Sequence, residues 1–347
     1  MAALPKSRIL ETALITSLIC AALPVQAQNP TAAKPFRDAA KAAAGTRWMG
    51  LYDATCGSDA PAPATAPKAA APATTTPAPA AARGGGGRGP PARETWYAPP
   101  QQVFDNLYWL GEKEHQAWAL KTSAGIILID TLFSYAMEAE IVDGLKAVGL
   151  NPADVKYVII SHAHGDHDQG AALMQSRYGS KIVMGEADWT TTVARTTYSG
   201  GVAKKDISIG PEGGQVTLGG TTVRLTYAPG HTPGTLDMLF PVVDHGRRLT
   251  AAYSGGTAFN FRHTAAAFDT YIATQRKFAG VAAVAGATVM LSNHSAFDNS
   301  LVLGPRAMGA RPAGQPHVFE VGAADVANYL KVLEQCAVAV KTAEFGT

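Results

Sequence analysis

A chain of 347 residues is long enough for one large domain or two small ones, and 47% hydrophobic side chains can supply a sizeable core. A formal net charge of +2 is close to neutral, and no basic run or basic–aromatic stripe argues for nucleic acid.

In chain order, the first stretch reads as a targeting segment. Lys6 and Arg8 precede a largely apolar run from Ala13 to Val25, too short for a comfortable membrane span. Val25-Gln26-Ala27 is a small-residue cleavage site. Residues 1–27 are therefore expected to be a signal peptide, the mature chain starting at Gln28, exported to a bacterial periplasm and free of the membrane; an uncleaved anchor is the alternative. Cys20 would leave with that segment. Cys56 and Cys336 would remain in an oxidising compartment, either joined as a disulfide or kept as two buried thiols.

Residues 28–57 form a short N-terminal segment. Ala39 to Ala44 is helix-prone, and Trp48, Met49, Leu51 and Tyr52 give it something apolar to dock. Residues 58–93 are Ala-, Pro-, Thr- and Gly-rich and read as a flexible linker or surface loop. The compact domain, 94–347, starts with strands over Val103–Trp109 and Ala117–Lys121. Gly125–Asp130 follows as a buried strand ending in a carboxylate. Met137, Ile141, Leu145 and Val148 carry helical spacing over Ala136–Val148. Lys156–Ile160 is a strand, 170–178 a helix, Lys181–Met184 a strand and Asp188–Ala194 a helix. Strands are expected over 216–218, 223–227, 236–242, 249–253 and 289–291, and helices over 268–278 and 323–340. The pattern alone supports a mixed α and β domain.

The chemistry concentrates in Ser161-His162-Ala163-His164-Gly165-Asp166-His167, directly after a strand. If the backbone stays extended past the strand end, His162 and His164 point the same way, and Gly165 then lets the chain turn. Imidazole nitrogens with one carboxylate suit zinc. His231 lies in Pro229-Gly230-His231-Thr232-Pro233-Gly234, and His294 follows Leu291-Ser292-Asn293. Five of the nine histidines thus fall into one pattern.

His-x-His-x-Asp-His after a strand, a distant Gly-His-Thr-Pro-Gly and a late histidine resemble the metallo-β-lactamase superfamily over roughly residues 93–347. The resemblance implies an α/β fold, a four-layer αβ/βα sandwich with its metal site at one edge between two sheets. It implies two Zn2+ per chain, the first held by His162, His164 and His231, the second by Asp166, His167 and His294. Three protein ligands per ion leave an open position on each, as a catalytic site needs. Asp166 would also orient a metal-bridging hydroxide, the nucleophile. Asp130 would support the metal loop from behind. Many hydrolases of this superfamily, glyoxalase II and lactonases among them, carry Gly-Asp-Thr where this chain has Gly255-Gly256-Thr257, and that aspartate bridges both metals. With Gly256 there, the ligand set looks most like subclass B3 β-lactamases. Asp168-Gln169-Gly170 departs from their more usual Gly-Gly ending.

The function implied is zinc-dependent hydrolysis of the β-lactam amide of a small-molecule substrate, and hence antibiotic resistance. The alternative is an exported metallo-hydrolase of a lactone or other ester. A non-enzymatic alternative is a metal-binding protein that reaches a partner through residues 28–93; the complete ligand set argues against it. Ser254, Thr257, Asn260 and His115 are candidates for substrate contact, His115 because its loop can overhang the site.

Overall fold

The structure is a computed structural model that describes residues 30–57, 90–195, 198–312 and 314–346. The expected signal peptide and nearly all of the expected linker lie outside the described residues.

Helices α1 (Pro30–Ala44), α2 (Met49–Cys56) and α3 (Arg93–Trp96) precede strands β1 (Gln101–Phe104), β2 (Leu107–Gly111), β3 (Gln116–Thr122) and β4 (Gly125–Ile129). Then come α4 (Ser134–Ala136), a π-helical stretch (Met137–Val142) and α5 (Asp143–Ala147). The first half continues with β5 (Val155–Ile159), α6 (Gly165–Asp168), α7 (Ala171–Tyr178), β6 (Lys181–Gly185), α8 (Glu186–Val193) and β7 (Ile207–Ile209). The second half holds β8 (Gly214–Leu218), β9 (Thr221–Tyr227), β10 (Leu236–Asp244), β11 (Arg247–Ser254), α9 (Ala265–Val284), β12 (Val289–Ser292), α10 (Ser295–Asp298), α11 (Ser300–Leu303) and α12 (Ala323–Phe345).

Two sheets result, β1 to β7 in sequence order and β12-β11-β10-β9-β8. Their inner faces meet through Trp109, Trp118, Ile127 and Ile159 on one side and Leu225, Met238, Phe240 and Tyr253 on the other. Alternate residues of the same strands face outward. Leu110, Leu128 and Val158 pack on Ile141, Leu145 and Met174 of the first helical layer. Leu239, Ala252 and Met290 pack on Phe268, Phe278, Tyr329 and Leu333 of the second. Strands buried on both faces read as continuous apolar runs, and their period-2 alternation assigns each side chain to one of two cores. This is the four-layer αβ/βα sandwich.

The N-terminal segment docks on the second helical layer. The Trp48 ring meets Tyr329 of α12 edge-on at 5.1 Å, and Arg47 pairs with Asp325 at 2.9 Å. Cys56 of α2 and Cys336 of α12 form a disulfide, Cα atoms 4.9 Å apart. Of the two alternatives for this pair, the bridge is the one found.

Most expected strands and helices appear within a few residues of their expected bounds. The stretch Val103–Trp109 is a correction: it is two strands, broken at Asp105-Asn106. Asn106 donates to Pro241 O at 3.2 Å and accepts from Val243 N at 2.8 Å, so the turn is stitched to β10. Ala136–Val148 is also not a regular α-helix, since six of its residues are π-helical.

Candidate metal centre

The site lies where β4, β5, β11 and β12 end. Asp130, just past β4, has φ of 61°, a conformation rare for a residue with a side chain. Its carboxylate accepts from Ser161 N at 2.7 Å, Ser161 Oγ at 2.8 Å and Tyr253 OH at 2.9 Å. It also lies 3.2 Å from His167 Nδ1. One buried acceptor thus fixes the entry to the histidine loop and one ring within it.

The loop does not stay extended, which corrects the expectation from alternation. His164 N donates to His162 O at 3.0 Å, so the chain turns at Ala163. His164 is then the residue before α6, and both His167 N and Asp168 N donate back to its carbonyl. The turn, rather than strand alternation, makes His162 and His164 converge.

His231 arrives from the other half. Gly230, at φ 151°, lies so close to Tyr271 that a Cβ there would stand 2.9–3.1 Å from that residue. Thr232-Pro233-Gly234 packs against Asp188 at the start of α8. Asp188 accepts from Thr232 Oγ1 at 2.6 Å, from Gly234 N at 2.8 Å and from Ala163 N at 2.8 Å. A single buried carboxylate therefore ties both histidine loops together.

Two clusters form. His231 Nε2 stands 3.0 Å from His162 Nε2 and 3.1 Å from His164 Nδ1. Asp166 Oδ2 stands 3.0 Å from His167 Nε2 and 3.5 Å from His294 Nε2. With metal–ligand bonds of about 2.0–2.1 Å, two donors on one tetrahedral zinc are separated by roughly 3.3 Å. The observed separations bracket that value.

Four of the five donor imidazoles are held neutral, as ligation needs, and the fifth is drawn to its two carboxylates. Burial, and then the repulsion of neighbouring imidazoles, holds His162 well below the ordinary histidine range and His164 at about 3. Burial likewise lowers His231 to about 4. Burial opposes charge on His167 too, but Asp166 and Asp130 outweigh it and raise that ring to about 10. The outer nitrogens are directed: His162 Nδ1 donates to Gly255 O at 2.7 Å, and His231 Nδ1 donates to Ala258 O. A ligand histidine oriented by an acceptor on its far nitrogen is the usual second layer of a zinc site.

The six expected ligands are thus brought together, three and three. His115 is brought to the same place, its Nε2 3.6 Å from Asp166 Oδ2. Ser254 and Thr257 are not. Tyr253 faces the inter-sheet core, so Ser254 faces the second helical layer, and both Ser254 and Thr257 are buried. Asn260 is exposed. Asp188, Glu112 and Asn293 were not singled out from the sequence as site residues. Asn293 donates to Gly255 O at 2.9 Å, the same carbonyl that orients His162. Glu112 and Asn293 directly follow apolar strands, a cue of little signal on its own, and Asp188 lies in the first turn of α8, where no cue marks it.

The fold is a two-sheet α/β sandwich with two histidine-rich clusters, each able to hold a metal ion, at its strand ends. The chain belongs to the metallo-β-lactamase superfamily, whose family model matches residues 110–237. It is 30% identical over 199 residues to an N-acyl homoserine lactonase of a Bacillus species, covering 50% of this chain and 75% of that protein. It is 28% identical over 127 residues to a hydroxyacylglutathione hydrolase of Acidiphilium cryptum, covering 37% and 45%. For several of the curated relatives it matches, the chain spans about half of their length. Among solved structures it resembles BJP-1, a subclass B3 metallo-β-lactamase of Bradyrhizobium japonicum. The two are 27% identical with a TM-score of 0.57, over 72% of this chain and 97% of that one.

Proposed function

We propose that this chain is an exported dinuclear zinc hydrolase that opens β-lactams. The observation that carries the choice of substrate is Gly256. A Cβ on Gly256 would stand 2.6 Å from His231 Cβ and 2.8 Å from Thr235 Cγ2. No side chain fits there with His231 in place, so no bridging carboxylate of the lactonase kind can stand at this position. Similarity to a B3 β-lactamase over nearly the whole of that structure supports the same reading.

In this reading His162, His164 and His231 hold the first zinc, and Asp166, His167 and His294 the second. Bound zinc supplies an acidified water and stabilises charge developing on the substrate. Asp130 and Asp188 hold the loops so that the donors meet without rearrangement. Asp166 engages the imidazoles through Oδ2, and its other oxygen would orient the attacking water. His164, Asp166 and His294 are only partly buried, which leaves the centre open for a small molecule. Export is supported by the disulfide, which suits an oxidising compartment. Among the described residues no helix is long and apolar enough to cross a membrane.

The second reading is an exported lactonase, favoured by the 30% identity to the Bacillus enzyme. Steady-state kinetics of zinc-replete protein on a chromogenic cephalosporin, a carbapenem and an acyl-lactone separate the two. β-Lactam turnover faster than lactone turnover is expected. Lactone cleavage without any β-lactam cleavage would replace the first reading with the second.

A further inference from the structure

We propose that Glu114, His115 and His294 form an outer seat for a third Zn2+, and that an ion there loosens the second metal and slows turnover; the proposal rests on the two-metal reading of the centre. His115 lies between β2 and β3 and is paired with His294 across an antiparallel backbone bridge. Gln116 N donates to Asn293 O at 3.0 Å and Ser295 N donates to Glu114 O at 2.9 Å, one on either side of the pair. Those bonds flank the two residues rather than join them, which is the register that brings facing side chains closest. The two rings stand 5.0 Å apart, centre to centre. Paired backbone from both halves of the sandwich thus carries two imidazoles side by side, with the exposed carboxylate of Glu114 next in the chain.

The donor atoms of Glu114, His115 and His294 all lie within 4.8 Å of one another. Those of Asp166, His167 and His294 form a separate group of the same kind, and His294 is the one member in common. The His115 ring is turned for the outer group. Its Nδ1 faces the buried Glu112 carboxylate at 3.7 Å, which leaves Nε2 toward Glu114 Oε1 at 4.0 Å. A carboxylate behind a histidine orients the ring and strengthens its other nitrogen as a donor. Donors on one tetrahedral zinc stand roughly 3.3 Å apart, so the seat closes with a small movement, and the exposed Glu114 side chain can make it. Two imidazoles and one glutamate are a donor set that zinc takes up. The shared ring sets the consequence. A histidine that holds one cation is a poorer donor to another, and two cations on neighbouring seats repel. An ion in the outer seat therefore weakens the hold of His294 on the second metal.

The test titrates the full chain, already loaded with two ions, with further Zn2+ or Co2+. Equilibrium dialysis counts the ions, the cobalt spectrum reports the second metal, and turnover is followed on whichever substrate the enzyme opens. The wild type should take a third, weaker equivalent; as it fills, the spectrum should shift and turnover should fall. Glu114→Gln should keep two ions and the basal turnover. It should weaken the third ion by at least roughly tenfold and move the inhibition to correspondingly higher zinc. The proposal is overturned if the wild type binds two ions and no third, or if Glu114→Gln binds the third as the wild type does. It is equally overturned by a third ion that leaves both the spectrum and turnover unchanged. Uptake of only one ion by the wild type would remove the two-metal reading and the outer seat together. A third ion that shifts the spectrum and is lost in Glu114→Gln supports the seat even where no β-lactam is opened, and only the substrate reading then falls.

Discussion

Asp188 accepts a hydrogen bond from the backbone amide of Ala163 at 2.8 Å, and so joins α8 to the loop that carries His162 and His164. The same carboxylate accepts from Thr232 Oγ1 and Gly234 N beside His231. Asp188→Ala removes one acceptor from three buried donors. An unpaired buried donor costs about 1–3 kcal/mol, and some of these will find water. We expect a loss of roughly 2–4 kcal/mol in denaturant unfolding, together with weaker first-metal binding. A variant as stable as wild type, with unchanged metal affinity, would mean the loops are held by something else.

The sandwich was legible because its strands are buried on both faces, and runs such as Ile126–Ile129 and Val158–Ile160 can be little else. The ligand histidines were legible because their spacing is unusual. The break at Asp105-Asn106 was readable in principle, since both residues favour turns, but the apolar residues on either side outweighed it. The placement of His115 depends on a bridge to His294, nearly 180 positions away, and no local pattern announces such a contact. The burial of Ser254 and Thr257 has a related cause. Their sequence neighbourhood is that of the site, but strand alternation sends Ser254 to the helical layer, and the Thr257 side chain is buried.

The disulfide joins residues 280 positions apart and fastens α2 to α12. Constraining so long a loop in the unfolded chain contributes about 2–4 kcal/mol in most proteins. Trp48 and Leu51 still bury themselves on the second helical layer without it. A reductant, or the Cys56→Ser, Cys336→Ser pair, should therefore lower the melting temperature without releasing zinc. Metal loss on reduction would show that the segment reaches the centre, against the packing described above.

Stability should fall as pH rises through neutrality. Burial raises the Glu140 carboxyl to about 8 against a single hydrogen bond from Ala98 N. Burial likewise raises Asp237 to about 7 against a bond from Gly255 N. Both carboxyls keep their protons longer folded than unfolded. Their contribution is present below the unfolded carboxyl range and is lost as pH climbs through the folded values. Each group contributes a slope of at most about 1.4 kcal/mol per pH unit. Glu140→Gln keeps an acceptor for Ala98 N and cannot ionise, so it should flatten the decline between pH 5 and 8. Unfolding midpoints across that range, in zinc-replete buffer, test this; curves that coincide with wild type would remove Glu140 as a source.

The sharpest test of the site concerns Gly256. The space a Cβ would need is taken by His231 Cβ at 2.6 Å, Thr235 Cγ2 at 2.8 Å and His231 Cγ at 3.0 Å. Contacts that short force a shift, and His231 is itself oriented through Nδ1 by Ala258 O. Gly256→Ala should therefore displace the ring and weaken the first metal, by about tenfold or more if the displaced ring is to be judged by losses at comparable outer positions. Gly256→Asp should do no better. Its carboxylate arrives on the same Cβ, so it cannot restore a lactonase-like bridge while His231 stays in place. Metal titration of both variants, followed by cephalosporin and acyl-lactone kinetics, reads this directly. If Gly256→Asp instead held two ions tightly and gained lactone turnover, the packing around His231 would be more yielding than these distances imply. Gly256 would then no longer be an argument for the β-lactam.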